Sequence, residues 1–136
     1  MTEYDESADL YDLFYDWKDY AAESIRVRDL VVARNPSART LLDVACGTGA
    51  HLGHLRDWFE VEGLDRNERM LDVARERLPG VPLHAGDMVD FELGRTFDVV
   101  TCLFSSIGYV LAVENLERAV ATMARHLAPG GVLVVE

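Results

Sequence analysis

Short apolar runs recur along this chain, each closed by a turn-forming or acidic residue and separated by helix-period segments. Residues 40–45 (TLLDVA), 61–64 (VEGL), 82–85 (PLHA), 97–102 (FDVVTC) and 132–135 (VLVV) read as strands. Residues 50–58, 67–78 and 113–127 read as helices, the second ended by Pro79-Gly80 and the third by Pro129-Gly130-Gly131. Strands that alternate with helices pair in parallel, and right-handed crossovers place the helices on both faces. The expected fold class is therefore α/β, a doubly wound, mostly parallel sheet that binds its ligand at the carboxyl ends of the strands. The last strand runs to Glu136 with nothing after it to cover it, so the expectation is a sheet truncated after its fifth strand or an edge paired by a partner.

Upstream, residues 7–33 read as two helical pieces. Leu10, Phe14 and Trp17 share one spacing, and Ala22, Ile25, Asp29/Leu30 and Ala33 share another, stopped by Asn35-Pro36. The expected organisation is an N-terminal helical lid over residues 1–34 and a ligand-binding core over residues 35–136.

A chain of 136 residues suits one domain with its own core. Its net charge of −11 includes no basic stripe of the kind that neutralises phosphates, which argues against a nucleic-acid partner. Cys46 and Cys102 lack CxxC spacing and read as free cytosolic thiols. The acidic N-terminus lacks the apolar core of a signal peptide and no run approaches membrane-spanning length, so a cytoplasmic protein with no membrane partner is expected.

The turn after the first strand defines the candidate site. Ala45, Cys46, Gly47, Thr48 and Gly49 are small residues that let a ligand approach the backbone. Gly47 and Gly49 fill the first two positions of a dinucleotide fingerprint, but Leu52 replaces the third glycine. Asp43, just before the turn, would repel a pyrophosphate and suits a ligand with positive charge. Asp65, at the end of the second strand, offers two oxygens to ribose hydroxyls. Asp87 and Met88, after the third strand, suit an adenine: the carboxylate accepts from the amino group and the Met88 amide donates to a ring nitrogen. A nicotinamide oxidoreductase is the rival that Asp43 and Leu52 disfavour.

The motifs LLDVACGTGAHL, VEGLD, AGDM, FDVVTCLFSSIGY and HLAPGGVLVVE, in this order, resemble class I S-adenosylmethionine-dependent methyltransferases. YDLFY, KDYAAE and LFSSIGYV make the chain more specifically similar to the deoxysugar N,N-dimethyltransferases of macrolide-type antibiotic biosynthesis. The resemblance implies the Rossmann-like methyltransferase fold, S-adenosylmethionine as cofactor, and as substrate the amino group of a nucleotide-linked aminosugar such as a dTDP-aminosugar. It implies an aromatic lid in which Tyr4, Tyr11 and Tyr20 close over cofactor and sugar. It also implies Ala45, Cys46, Arg66, Met70 and Leu103 along the cofactor, and roughly a hundred further residues in the family's full-length members. On that basis these residues are expected to keep the cofactor rim and to lack full turnover.

Ser105, Ser106 and Tyr109, after the fourth strand, are candidates to line the methyl-acceptor site, with ordinary turn chemistry as the alternative reading for the serines. No NPPY-type element follows that strand, which again argues against nucleic-acid bases. Phe14 and Trp17 read as core. His51 and His54 lack a third ligand, so no metal is expected. An O- or C-methyltransferase, a cofactor-binding module without catalysis, and a homodimer paired through the last strand remain open alternatives.

Overall fold

The computed structural model describes residues 19–103 and 113–136. Among the described residues nine elements follow one another: α1 (Tyr20–Arg34), β1 (Thr40–Val44), α2 (Leu52–Leu55), β2 (Glu60–Asp65), α3 (Glu68–Arg77), β3 (Leu83–Ala85), β4 (Phe97–Cys102), α4 (Val113–Arg125) and β5 (Leu127–Val135). The five strands form one sheet in the order β3-β2-β1-β4-β5, and every pairing is parallel. The order reverses between β1 and β4, the point where an open α/β sheet parts at its carboxyl edge and takes a ligand.

Alternation along the strands builds a core on each face. Leu41 and Val99 pack with Val27 and Val31 of α1, Leu52 and Leu55 of α2 and Leu71 of α3. Leu42, Val44, Val100 and Cys102 point the other way, against Phe91 and the Ala119 and Met123 side chains of α4. The same alternation turns Asp43 and Thr101, partners in register, toward the α1 face. Packing leaves no room for a side chain at Gly63, where an added Cβ would lie 2.8 to 2.9 Å from Leu52, Leu83 and Cys46.

Local signals explain the helix ends. Asp19 caps α1 by accepting from the Ala22 amide at 2.9 Å, and Asn67 caps α3 by accepting from the Met70 amide at 3.0 Å. Glu68 opens α3 while Arg75 and Arg77 close it, matching the helix dipole.

Three expectations need correction. The helix expected over 50–58 is regular only at Leu52–Leu55, with turns on either side. In α1 the buried stripe is Ser24, Val27 and Val31, whereas Ile25 and Leu30 are exposed. The helix is rotated from the expected register: its interior face takes the polar Ser24, and half-buried Arg28 stacks over Trp58 at 4.7 Å. The last strand begins at Leu127, not Val132. Its partner advances from Phe97 to Val99 while β5 advances from Leu127 to Val132, so Pro129-Gly130-Gly131 lies in a bulge inside the strand.

Candidate functional site

β1 delivers Asp43 and then turns sharply. Ala45 takes a left-handed φ of 60°, costly for a residue with a Cβ, and Gly47 and Gly49 follow at 58° and 83°. The Cys46 amide still donates to the Leu64 carbonyl at 2.9 Å, so the turn stays anchored to β2 as it leaves the sheet. Gly49 packs against α3: an added Cβ would meet Leu78 Cδ1 at 2.7 Å. At Gly47 an added Cβ would meet nothing within 4 Å, which leaves room for a ligand above the loop.

Asp65 ties this loop to the turn after β2. Its Oδ2 accepts from the Gly47 amide and its Oδ1 from the Asn67 amide, both at 2.8 Å. Each oxygen keeps acceptor capacity beyond these bonds. Burial pushes the Asp65 carboxyl above its usual range, while the Asn67 and Gly47 amides pull it back. Asp43 is 2% exposed, and its Oδ1 accepts from the Thr101 hydroxyl at 2.8 Å. Its pKa is pushed up to about 7 by burial, with Thr101 opposing and the Asp65 charge adding to the rise.

The third acid follows β3. The Gly86 amide donates to the Asp65 carbonyl at 3.1 Å, setting the two turns side by side. Asp87 Oδ1 accepts from the Val89 amide at 3.1 Å, and its carbonyl accepts from the Phe91 amide at 3.1 Å. Met88 is half-buried against the α4-side core. The structure thus brings Asp43, Ala45, Cys46, Gly47, Gly49, Asp65, Asp87 and Met88 to one rim.

Among the other expected residues, Arg66 is exposed beside Asp65, Leu103 is buried just beyond β4, and Met70 is fully buried on the inner face of α3. Tyr20 is half-buried and meets the His51 ring edge-on at 4.8 Å, and His51 Nε2 lies 2.9 Å from Glu23 Oε1. This cluster ties α1 to the residues after the glycine turn. Tyr4, Tyr11, Ser105, Ser106 and Tyr109 lie outside the described residues, as do Phe14 and Trp17.

Both cysteines are buried and unbridged. Burial raises the Cys46 thiol well above its usual range and pushes Cys102 up to about 12, with the Asp43 charge contributing to each. They are neutral packing groups at physiological pH. Among the described residues no three metal-ligating side chains come together, and no helix is long and apolar enough to cross a membrane.

Two partners were not foreseen. Thr101 reads as an ordinary β-branched strand residue, yet its hydroxyl is the hydrogen-bond donor to Asp43. Asn67 was expected only as part of a helix start, yet it both caps α3 and binds Asp65. Their signal was a polar residue on the inward face of a strand and an N-cap residue two positions after an acid.

A parallel sheet with buried acids and a left-handed, glycine-containing turn at its switch point defines an α/β domain of the doubly wound class, built to take a ligand at its carboxyl rim. The chain belongs to the methyltransferase domain family, whose model matches residues 41–131. It is 55% identical over 132 residues to dTDP-3-amino-3,4,6-trideoxy-alpha-D-glucopyranose N,N-dimethyltransferase from Streptomyces venezuelae, covering 95% of this chain and 56% of that protein. A dTDP-4-amino-2,3,4,6-tetradeoxy-D-glucose N,N-dimethyltransferase from Saccharopolyspora spinosa is 49% identical over 95% of this chain and 53% of its own length. Among solved structures, SAM-bound CalS10, an amino pentose methyltransferase from Micromonospora echinaspora, superposes with a TM-score of 0.91 at 51% identity. That match covers 93% of this chain and 55% of CalS10. The chain spans about half the length of the curated relatives it matches.

Proposed function

We propose that this rim binds S-adenosylmethionine and that the protein transfers its methyl group to the amino group of a nucleotide-linked aminosugar, as in a dTDP-aminosugar. The observation that carries the reading is the pair of buried carboxylates, Asp43 and Asp65, around a turn open above Gly47. A phosphate-bearing dinucleotide would meet repulsion there, whereas a cationic nucleoside without phosphate finds acceptors. The close N,N-dimethyltransferase relatives support the substrate class.

In this reading Asp65 accepts from ribose hydroxyls through its remaining lone pairs, held in place by the Gly47 and Asn67 amides. Asp87 and the Met88 amide hold the adenine edge. Asp43 faces the cationic amino-acid end, and Ala45, Cys46 and Gly49 shape the turn beneath it. Arg66 and Leu103 flank the cofactor surface, and fully buried Met70 supports it from within α3. Bound there, S-adenosylmethionine supplies a methyl group on a sulfonium, ready for displacement by an amine.

In this reading the lid expected over residues 1–34 is anchored beside the core of residues 35–136 by α1, which packs on the sheet through Val27 and Val31. Tyr20 is steadied by His51, with Tyr4 and Tyr11 from the same segment. Ser105, Ser106 and Tyr109 line the acceptor side. A closed, apolar site favours the neutral amine, so no strong dedicated base is required. Thermal unfolding with S-adenosylhomocysteine and with NAD tests the cofactor, because only a ligand of the native state raises stability. Stabilisation by S-adenosylhomocysteine alone is expected, and stabilisation by NAD alone would refute the reading. Transfer of labelled methyl to a dTDP-aminosugar tests the substrate.

A further inference from the structure

Asp43 is nearly sealed from water, yet only one of its oxygens is hydrogen-bonded among the described residues. Its partner, Thr101, has one hydroxyl proton and two acceptors: Asp43 Oδ1 at 2.8 Å and the Leu42 carbonyl at 3.5 Å. With Asp43 ionised, the hydroxyl donates to the carboxylate. With Asp43 protonated, the carboxyl can donate to Thr101 Oγ, and Thr101 can turn its proton to Leu42. The pair therefore has two self-consistent hydrogen-bond patterns that differ by one proton, in a place where an unpaired charge is costly.

The surroundings favour a response to ligand charge. Across from Asp43, Asp65 of β2 adds a second negative charge, partly offset by Arg66. Cys46 in the loop and Cys102 of β4 are neutral thiols within reach of its field. α1 covers this face of the sheet with Ser24, Val27 and Val31, and its Glu23 is engaged with His51. Among these groups none is a cation placed against Asp43, so an incoming cation is what ionises it.

We propose that Thr101 is a positioning residue that makes cofactor binding proton-linked: a cationic ligand at the turn expels a proton from Asp43 to solvent, and the Thr101 hydroxyl then holds the carboxylate. The inference rests on the cofactor reading above and adds to it a mechanism for preferring a cationic ligand. At neutral pH the carboxyl is poised to respond, since its pKa lies at about 7.

Calorimetric titration with S-adenosylmethionine in two buffers of different ionisation enthalpy counts the protons. At about pH 7 the wild-type chain is expected to release about half a proton more per site than Asp43→Asn, whose side chain cannot ionise. Thr101→Val removes the donor while keeping the shape. It is expected to weaken binding about tenfold near pH 7, with the ratio to wild type falling as the pH rises and Asp43 ionises unaided. Thr101→Ser, which restores the hydroxyl, should behave as wild type. Equal proton counts in wild type and Asp43→Asn would overturn the proposal while leaving the cofactor reading intact. A Thr101→Val effect independent of pH would do the same, since it marks a purely structural role. Wild-type chain that binds no cofactor at all would overturn both.

Discussion

Asp43 and Asp98 lie on neighbouring strands but at opposite rims of the sheet, and their environments are opposite too. At the amino rim, Asp98 Oδ2 accepts from the Arg39 amide at 2.8 Å and the Thr40 amide at 3.2 Å, while its own amide donates to Thr40 Oγ1 at 2.9 Å. These bonds, led by the Arg39 amide, hold its carboxyl below the usual range. At the carboxyl rim, Asp43 is buried and its carboxyl is raised. One aspartate stitches β1 to β4 and is content as an anion. The other costs stability as an anion and gains from a cation that is not part of the chain.

The contrast extends to the neighbours. A cleft of about 420 Å³ opens at the amino rim, lined in part by Arg56, Glu60, Glu62 and Arg95. Glu62 there accepts from Arg95 at 2.6 Å and faces His84 Nε2 at 2.8 Å, so its charge is already matched. A depression whose charges are already matched is thus not the better binding site. What marks the carboxyl rim is acceptor capacity held in a dry, rigid turn.

The largest effect expected in breaking this contrast is at Asp65. Asp65→Ala removes charge-assisted bonds to cofactor and loop together, and should weaken S-adenosylmethionine binding by about 2–3 kcal/mol in calorimetry. Next comes a pair of glycines. Gly49 and Gly80 share a left-handed backbone at 83° and 87°, but only Gly49 lies against a neighbour. Denaturant unfolding should show Gly49→Ala costing about 2–3 kcal/mol, from strain plus the Leu78 clash, and Gly80→Ala about 1 kcal/mol, from strain alone.

The two aspartates then predict opposite pH profiles. For Asp43 the folded pKa of about 7 lies above the ordinary value of 3.8, so ionisation on raising the pH removes stability. Asp43→Asn should therefore raise the melting temperature of the cofactor-free chain by several degrees above about pH 7, with the gain vanishing below about pH 4. For Asp98 the folded pKa lies below 3.8, so its contribution is present above that value and lost as the pH falls through the folded pKa. Asp98→Asn should lower stability at neutral pH by about 1 kcal/mol, a figure already reduced for solvent screening, with the loss shrinking in acid. The smallest effect belongs to Glu62→Gln, which leaves half-exposed Arg95 unpaired and should cost less than about 1 kcal/mol.

The strand ends were legible because parallel strands buried on both faces read as apolar runs, and an acid after such a run stands out. The pattern alone puts Asp43, Asp65 and Asp87 on one rim. Side-chain partnership was not legible. Thr101 differs in no local signal from a threonine that merely packs, and the Tyr20, His51 and Glu23 cluster joins α1 to the turn before α2. Pro129-Gly130-Gly131 announced a break, but a bulge within a paired strand and the start of a strand leave the same trace. The buried stripe of α1 was misread because Ile25 and Leu30 outweighed Ser24 on hydrophobicity alone.

The central claim is that the carboxyl rim, not the amino-rim cleft, takes the nucleoside cofactor. Amide chemical-shift mapping during titration with S-adenosylhomocysteine tests it directly. The account predicts shifts concentrated at Gly47, Gly49, Asn67 and Val89, with Arg56, Glu62 and Arg95 unmoved. Shifts concentrated at Arg56, Glu62 and Arg95, or none at the glycine turn at saturating ligand, would contradict it.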